Sequence, residues 1–106
     1  MRSFFGLLGG AGADTSRAAL GWAMEALSIF DDQKQLWLSD LDGLAAKATE
    51  ECLRWASPTM HMRRTATRDT EIAGQAIRAG DKVAIWWLSG NRDASKITDP
   101  QRFDVT

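Results

Sequence analysis

A glycine-rich segment inside a long apolar stretch is the feature that most constrains the fold of this chain. Apolar residues recur at helical spacing and predict one helix from about Phe4 to Ile29. Each glycine inside a helix costs roughly 1 kcal/mol relative to alanine. The first half of this helix contains Gly6, Gly9, Gly10 and Gly12. A sequence that accepts this cost is expected to need close approach of another group along residues 7–17.

A hydroxyl and an acid stand beside the small residues. Thr15 lies one turn after Ala11 on the same helical face, and Asp14 precedes it. A threonine at this spacing can donate to the carbonyl four residues earlier and loosen the helix locally. Two interpretations remain open: the small residues either pack tightly against a neighbouring helix, which is the more common case, or form a notch with Asp14 and Thr15 at its edge.

The glycines do not form a phosphate-binding loop. The Walker pattern requires Gly-Lys followed by Ser or Thr, and no lysine occurs before Lys34. The dinucleotide-binding pattern is also broken, because Thr15 stands where a third glycine or alanine is required.

Composition excludes several classes of protein. The chain has 106 residues, of which 13 are basic and 14 are acidic, and its net charge is −1. The charges do not form a run of one sign, so the sequence indicates no electrostatic attraction to nucleic acid or to an anionic membrane surface. Cys52 is the one cysteine and His61 the one histidine, so neither a disulfide nor a cysteine-based zinc site is expected. The longest apolar stretch, 4–13, is too short to span a bilayer. We expect a single domain at most, in the cytoplasm.

Beyond the first helix, the pattern predicts short helices followed by a small sheet. A polar break at 31–33 precedes a short helix around 36–38, and a second clear helix runs from about Gly43 to Ala56, where Ser57-Pro58 ends it. Ser39, Asp40 and Asp42 offer capping oxygens. β-branched or aromatic pieces at 64–67, 71–73 and 83–87 are separated by turns at Gly74 and 79–80, and a turn-rich tail follows.

The second clear helix carries a charged pair. Glu51 and Arg54 are three residues apart and share one face. An exposed pair of this kind contributes only about 0.3 kcal/mol. A buried pair behaves differently, because removing one member costs roughly 3–5 kcal/mol. The sequence pattern alone leaves both possibilities open.

Three motifs in this order resemble the cytochrome P450 family, the haem-thiolate monooxygenases. Ala11-Gly12-Ala13-Asp14-Thr15 resembles the oxygen-activation motif of the family's long central helix, and Glu51-Cys52-Leu53-Arg54 resembles its Glu-x-x-Arg motif. Pro100-Gln101-Arg102-Phe103 resembles the Pro-x-x-Phe of the family's meander. The segments RTATRDTEIAGQAIRAGDKV and LSGNRD are similar to the hairpins and turn of soluble bacterial members.

The resemblance implies a mainly α fold with a small antiparallel β part. A long central helix, a short helix and the Glu-x-x-Arg helix are followed by short hairpins and an irregular tail, so residues 1–106 are expected to form a single partial domain. In the family, a cysteine loop that ligates the haem iron follows the Pro-x-x-Phe segment. The sequence stops at Thr106, and Cys52 lies inside a helix. We therefore expect a fragment that lacks the axial cysteine and is inactive by itself.

The resemblance also implies roles for individual residues. Thr15 would hydrogen-bond dioxygen at the haem iron or a nearby water, and Asp14 would relay protons. Glu51, Arg54 and Arg102 would form a buried salt-bridge triad. No metal ligand is expected in this chain, because the axial cysteine is absent from it. The cofactor-binding candidates are Ala11, Gly12, Arg64 and His61. Arg64 would pair with a haem propionate, and Arg63 is a weaker candidate for that role. His61 would reach a propionate in one interpretation, but an ordinary loop histidine is the more common case. The substrate-binding candidates are Leu7, Gly10, Thr59, Met60 and Met62.

The implied activity is that of a haem-dependent monooxygenase, of which this chain is a fragment. It would activate dioxygen and hydroxylate a hydrophobic organic substrate, with electrons supplied from NAD(P)H through a ferredoxin or a flavoprotein redox partner. The alternative is a non-catalytic remnant or a small helix-rich interaction module.

Overall fold

The computed structural model describes residues 2–106. Three long helices come first, and two antiparallel strand pairs and a short helix follow, which confirms the expected fold class. The helices are α1 Arg2–Ile29, α2 Asp31–Ser39, α3 Leu41–Ala56 and α4 Trp87–Gly90, and the strands are β1 His61–Thr65, β2 Thr70–Ile72, β3 Gln75–Ile77 and β4 Lys82–Trp86.

The connections between the helices follow local chemistry. Helix α2 begins at Asp31, inside the predicted polar break, because acidic residues in a first turn are stabilised by the helix dipole. The predicted capping by Asp40 is confirmed, since its Oδ1 accepts from the Gly43 amide at 3.0 Å at the start of α3. Helix α3 ends where expected, because Ser57 adopts a left-handed conformation with φ of 40° just before Pro58.

The strands form two separate antiparallel pairs. Strand β1 pairs with β4 in a register that runs from His61 opposite Trp86 to Thr65 opposite Lys82. Strands β2 and β3 form a hairpin whose turn residues Ala73 and Gly74 both have positive φ, at 50° and 81°. Two sequence expectations were wrong here: β3 was not predicted, and His61 begins a strand instead of lying in a loop.

The core lies between the C-terminal half of α1, helix α3 and the tail. Its fully buried members are Ala26, Ala48, Phe103 and Val105, with Cys52 at 9% exposed. The Phe103 ring stacks on Phe30 with centroids 5.8 Å apart and meets Trp55 edge-on at 5.7 Å. The irregular tail thus supplies the two largest fully buried side chains of the described residues.

The N-terminal half of α1 projects away from this core. Phe4, Phe5 and Leu7 are 62%, 66% and 70% exposed. The packed half of α1 is therefore its C-terminal half, and residues 11–15 lie on an open surface.

Candidate functional site

The α1 surface beside Gly10, Ala11, Gly12 and Thr15, here called the notch, is open. The Thr15 Oγ1 donates to the Ala11 carbonyl at 2.6 Å, as the sequence spacing predicted. A Cβ added at Gly10 or Gly12 would meet no heavy atom within 4 Å. Among residues 2–106, these glycines do not pack against a neighbouring helix, so the surface beside Ala11 and Thr15 is available to another group.

Asp14 lies next to the notch and is weakly held. Its Oδ1 accepts from the Arg17 Nη2 at 3.2 Å, and both side chains are 82% exposed. Exposed ion pairs three residues apart contribute little to stability, because water screens them and the side chains lose entropy. The Asp14 carboxylate can therefore rotate between Arg17 and other partners.

One face of α1 leads from the notch into a cleft. Ala11, Thr15, Ala18 and Trp22 are spaced by four, three and four residues and share a face. Ala18 and Trp22 line a cleft of about 470 Å³, and Met60 lies in its other wall. The other lining residues are Trp55, Ala56, Ser57, Pro58, Leu88 and Arg92. The fold thus places the Thr15 face of α1 and the segment after α3, which also contains the half-buried Thr59, on two sides of one space.

Strand β1 divides its candidate residues between two faces. Met62 and Arg64 lie on one face, where an Arg64 Nη1 is 3.8 Å from the Met62 sulfur. His61 lies on the other face with Arg63, and its ring stacks on Trp86 with centroids 4.7 Å apart. His61 and Arg64, both expected to bind one cofactor, are thus not brought together, because successive side chains of a strand point in opposite directions.

The Glu51–Arg54 pair is largely buried. The Arg54 Nε and Nη2 donate to the two Glu51 carboxylate oxygens at 2.6 and 2.8 Å. The two side chains, Arg54 and Glu51, are only 14% and 11% exposed. Hydrogen bonding to Glu51 raises the pKa of Arg54, since it stabilises the charged guanidinium. Of the two possibilities that the sequence left open, the structure has the buried pair.

Backbone groups of the tail complete this pair. The Arg54 guanidinium donates to the carbonyl oxygens of Asn91 at 2.9 Å, Pro100 at 3.0 Å and Arg102 at 2.8 Å. Glu51 Oε1 accepts from the Asp104 amide at 2.7 Å. Arg102 takes part through its carbonyl, and its guanidinium forms no ion pair with a carboxylate among the described residues. In place of the expected triad of charged side chains, the structure has a charged pair completed by three main-chain carbonyl acceptors and one main-chain amide donor.

Two residues that sequence analysis did not single out belong to the same region. The Arg92 guanidinium lies 4.2 Å from the Trp55 ring centroid and donates to the carbonyls of Trp55 and Pro100, both at 3.2 Å. Burial, followed by repulsion from Arg54, lowers the pKa of Arg92. Gln33 is 5% exposed, and its Oε1 accepts from the Val105 amide at 3.1 Å. Local sequence gives no signal for either contact, because both join segments far apart in the chain.

Cys52 is a structural thiol in this part of the chain. It is free and packs in the core with Ala26 and Ala48. Burial, and secondarily the negative charge of Glu51, raises the pKa of the Cys52 thiol. Within residues 2–106 no cluster of three or more His, Cys, Asp or Glu side chains is placed to hold a metal ion, and no described helix has the length and hydropathy to cross a bilayer.

Comparison with known proteins gives consistent matches over nearly the whole chain. The family model described as Cytochrome P450 matches residues 4–106. The "Methyl-branched lipid omega-hydroxylase" of Mycobacterium tuberculosis is 52% identical over 103 residues, which are 97% of this chain and 24% of that protein. The "Linalool 8-monooxygenase" of Pseudomonas putida is 50% identical over 95 residues, which are 90% of this chain and 23% of that protein.

Solved structures agree in fold. A Mycobacterium marinum cytochrome P450, CYP268A2, in complex with pseudoionone superposes with a TM-score of 0.94 at 45% identity. The match covers 96% of this chain and 25% of that protein. The chain thus spans about a quarter of the length of the proteins that it matches.

Proposed function

Because the chain belongs to the cytochrome P450 family, we propose that it forms part of a haem-dependent monooxygenase that uses dioxygen to hydroxylate a hydrophobic organic substrate. The observation that carries this proposal is the open notch on α1, where Thr15 and Asp14 stand beside unobstructed glycines. The names of two relatives, a lipid hydroxylase and a linalool monooxygenase, support the same class of reaction.

The described residues fit one side of a haem group. Haem is a flat apolar ring with two carboxylates at its edge. The small residues Ala11 and Gly12 leave a surface on which a flat ring can lie, because no atom obstructs the Gly12 position. Arg64 of β1 would supply a cation for one carboxylate, with Arg63, on the opposite face of the strand, as the alternative. A bound haem with a cysteine thiolate as ligand would activate dioxygen and promote cleavage of its O–O bond, and the buried Cys52 of α3 is not placed to supply that thiolate.

Proton management is the role we assign to the α1 residues. The Thr15 hydroxyl donates a hydrogen bond to the Ala11 carbonyl, so its oxygen lone pairs remain free to accept a hydrogen bond from a water in the notch. Asp14 is held only by an exposed partner, so it can turn from Arg17 toward the notch and carry protons from solvent. Thr15 thus orients the water, and Asp14 supplies protons to it.

Binding roles follow from the cleft and from β1. Leu7 and Gly10 on α1, together with Thr59, Met60 and Met62, would line an apolar substrate pocket. Arg64 shares the face of Met62 and would hold a haem carboxylate, with Arg63 as the alternative. His61 points to the opposite face, and we give it no cofactor contact.

Electron supply and location are proposed from the family. NAD(P)H would provide electrons through a ferredoxin or flavoprotein partner. The free buried thiol of Cys52 supports a reducing compartment such as the cytoplasm.

The test uses a chimera in which this chain replaces the matching quarter of the Mycobacterium tuberculosis hydroxylase. We expect the chimera to retain haem and to form hydroxylated product. Thr15→Ala should lower the amount of product formed per reductant consumed by at least about tenfold, since a positioned proton relay contributes that much or more. Thr49→Ala is the matched control, because Thr49 Oγ1 makes the same bond to the Ala45 carbonyl, at 2.7 Å, on α3. Equal yields from both variants would contradict the proposal.

A second candidate function is a non-catalytic interaction module. The exposed apolar side chains of α1, such as Phe4, Phe5 and Leu7, favour it, because large exposed apolar surfaces often bind partners. Resistance to protease and a cooperative thermal transition of the 106-residue chain would support this module. Haem retention and product formation by the chimera would support the monooxygenase fragment.

A further inference from the structure

The ribbon formed by β1 and β4 has two chemically different faces. In an antiparallel ladder, directly opposed residues place their side chains on the same side. Met62 is opposite Ile85, and Arg64 is opposite Val83, so these four residues form one face, here called the Met62 face. The opposite, or His61, face consists of His61, Arg63, Thr65, Lys82, Ala84 and Trp86.

Polar side chains dominate the contacts of the His61 face. The His61 ring stacks on Trp86, which is itself 56% exposed, and the Lys82 Nζ donates to the Thr65 Oγ1 at 2.9 Å. On the Met62 face, the apolar side chains of Met62 and Ile85 remain 44% and 37% exposed, with the Arg64 guanidinium at their edge. An apolar pair bordered by a cation is suited to contact an apolar molecule.

We propose that Ile85 is a specificity-determining residue that contacts the hydrophobic substrate together with Met62. This inference rests on the proposed function, in which Met62 lines the substrate pocket. The Cβ atoms of opposed residues lie about 4.5–5.5 Å apart, so a ligand that touches the Met62 side chain also reaches Ile85.

The two side chains have different mechanical roles. Methionine is unbranched and adapts its shape to the molecule that it contacts. Isoleucine is branched at Cβ and is restricted in χ1, so Ile85 presents a fixed wall. Ile85 therefore determines which branched chains fit beside it, and Met62 changes its conformation to contact the rest of the substrate.

The test uses the chimera described above and two named probes, hexadecanoic acid and a methyl-branched acid of equal chain length. Binding is followed by the change in haem absorbance. Ile85→Ala should weaken binding of both acids by about threefold to tenfold, as the loss of one or two methylene contacts does. Ile85→Phe should weaken binding of the branched acid more than that of the straight acid, whereas Ile85→Val should stay close to the parent.

The matched control is Trp86→Leu, because Trp86 is the next residue of the same strand and lies on the His61 face. It should change both dissociation constants by less than about twofold, as expected of a side chain that does not touch the ligand. Haem content of every variant is measured first, so that misfolding is not mistaken for weak binding.

The outcomes are distinguishable. If the chimera holds haem but Ile85→Ala, Ile85→Phe and Ile85→Val all bind like the parent, or if Trp86→Leu has the larger effect, the Ile85 proposal is overturned and the proposed function stands. If the unsubstituted chimera does not hold haem, the proposed function is overturned, and this inference with it.

Discussion

The junction between α3 and the tail contrasts with the N-terminal half of α1. At the junction, the charges of Glu51 and Arg54 are satisfied within the chain, by each other and by tail backbone groups. On α1, Thr15 bonds only within its own helix, and Asp14 contacts only an exposed arginine in the hydrogen-bond network of the described residues. Both regions carry family motifs, yet only one is complete within this chain.

The difference reflects two physical requirements. A buried ion pair is stable only when hydrogen-bond partners surround it, so its motif must be folded together with those partners. The site proposed on α1 instead needs space for a cofactor and a substrate, and no atom of the described residues obstructs the positions of Gly10 and Gly12. We therefore expect substitutions at the junction to change stability, and substitutions in the site proposed on α1 to change activity.

The largest expected effect on stability comes from the tail. Phe103→Ala should lower the free energy of unfolding by about 3–5 kcal/mol, because it empties a fully buried position between Phe30 and Trp55. Phe4→Ala, at a 62% exposed position of α1, should change it by less than about 0.5 kcal/mol. Urea unfolding of both variants checks this, and similar losses would remove the contrast between the regions.

The second largest effect on stability is expected from the buried Glu51–Arg54 pair, compared with the exposed Asp14–Arg17 pair. Arg54→Ala should cost about 3 kcal/mol, since it strands Glu51 and frees three tail carbonyls. Arg17→Ala breaks an exposed pair of the same spacing and should cost less than about 0.5 kcal/mol. The two urea midpoints should differ clearly, whereas coincident midpoints would mean that the junction is as solvated as α1.

A pH experiment tests whether the junction excludes water. Burial raises the pKa of Cys52 in the folded chain above its ordinary value of 9.0. Between the unfolded and folded pKa values the unfolded thiol binds fewer protons, so stability should fall as pH rises above about 9. The same chain with Cys52→Ala should lose less stability over that range.

Thiol labelling provides an independent measure of the same burial. A soluble disulfide reagent at neutral pH should react with Cys52 at least about tenfold more slowly in the folded chain than in urea. Equal rates would show that the core around α3 opens readily.

The smallest effect lies in the β2–β3 hairpin, away from both regions. Ala73 has a φ of 50° and precedes Gly74 at 81°, the geometry of a turn that favours Asn-Gly. Ala73→Asn should therefore raise stability by about 0.5 kcal/mol, because asparagine tolerates left-handed geometry better than alanine. The Cys52 labelling rate should not change. A thermal melt checks the gain, and a loss of stability would contradict the assigned turn.

Most of the local structure could be predicted from sequence. The ends of α1 and α3, the Asp40 cap and the bond from Thr15 to Ala11 depend on residues within one or two turns. The α2 start at Asp31 was missed, because charged residues were taken as a break although they stabilise a first helical turn.

The long-range features could not be obtained in the same way. The tail has no regular period, so its role in the core is visible only when Phe103 meets Phe30 and Trp55. Arg102 contacts Arg54 through its carbonyl oxygen and not through its side chain, and this depends on the direction of the backbone after the preceding turn. The division of His61 and Arg64 between two faces depends on a strand that was expected to begin later.

The position of the core partners along the chain has a consequence for biosynthesis. Gln33 accepts from the amide of Val105, which is synthesised 72 residues later, and Glu51 accepts from the amide of Asp104, which is synthesised 53 residues later. A ribosome adds about 5–20 residues per second, so α1, α2 and α3 spend several seconds outside the exit tunnel before these partners emerge. Their apolar faces are exposed to chaperones during that interval. Slower translation of residues 57–102 should therefore lengthen chaperone association in proportion to the delay.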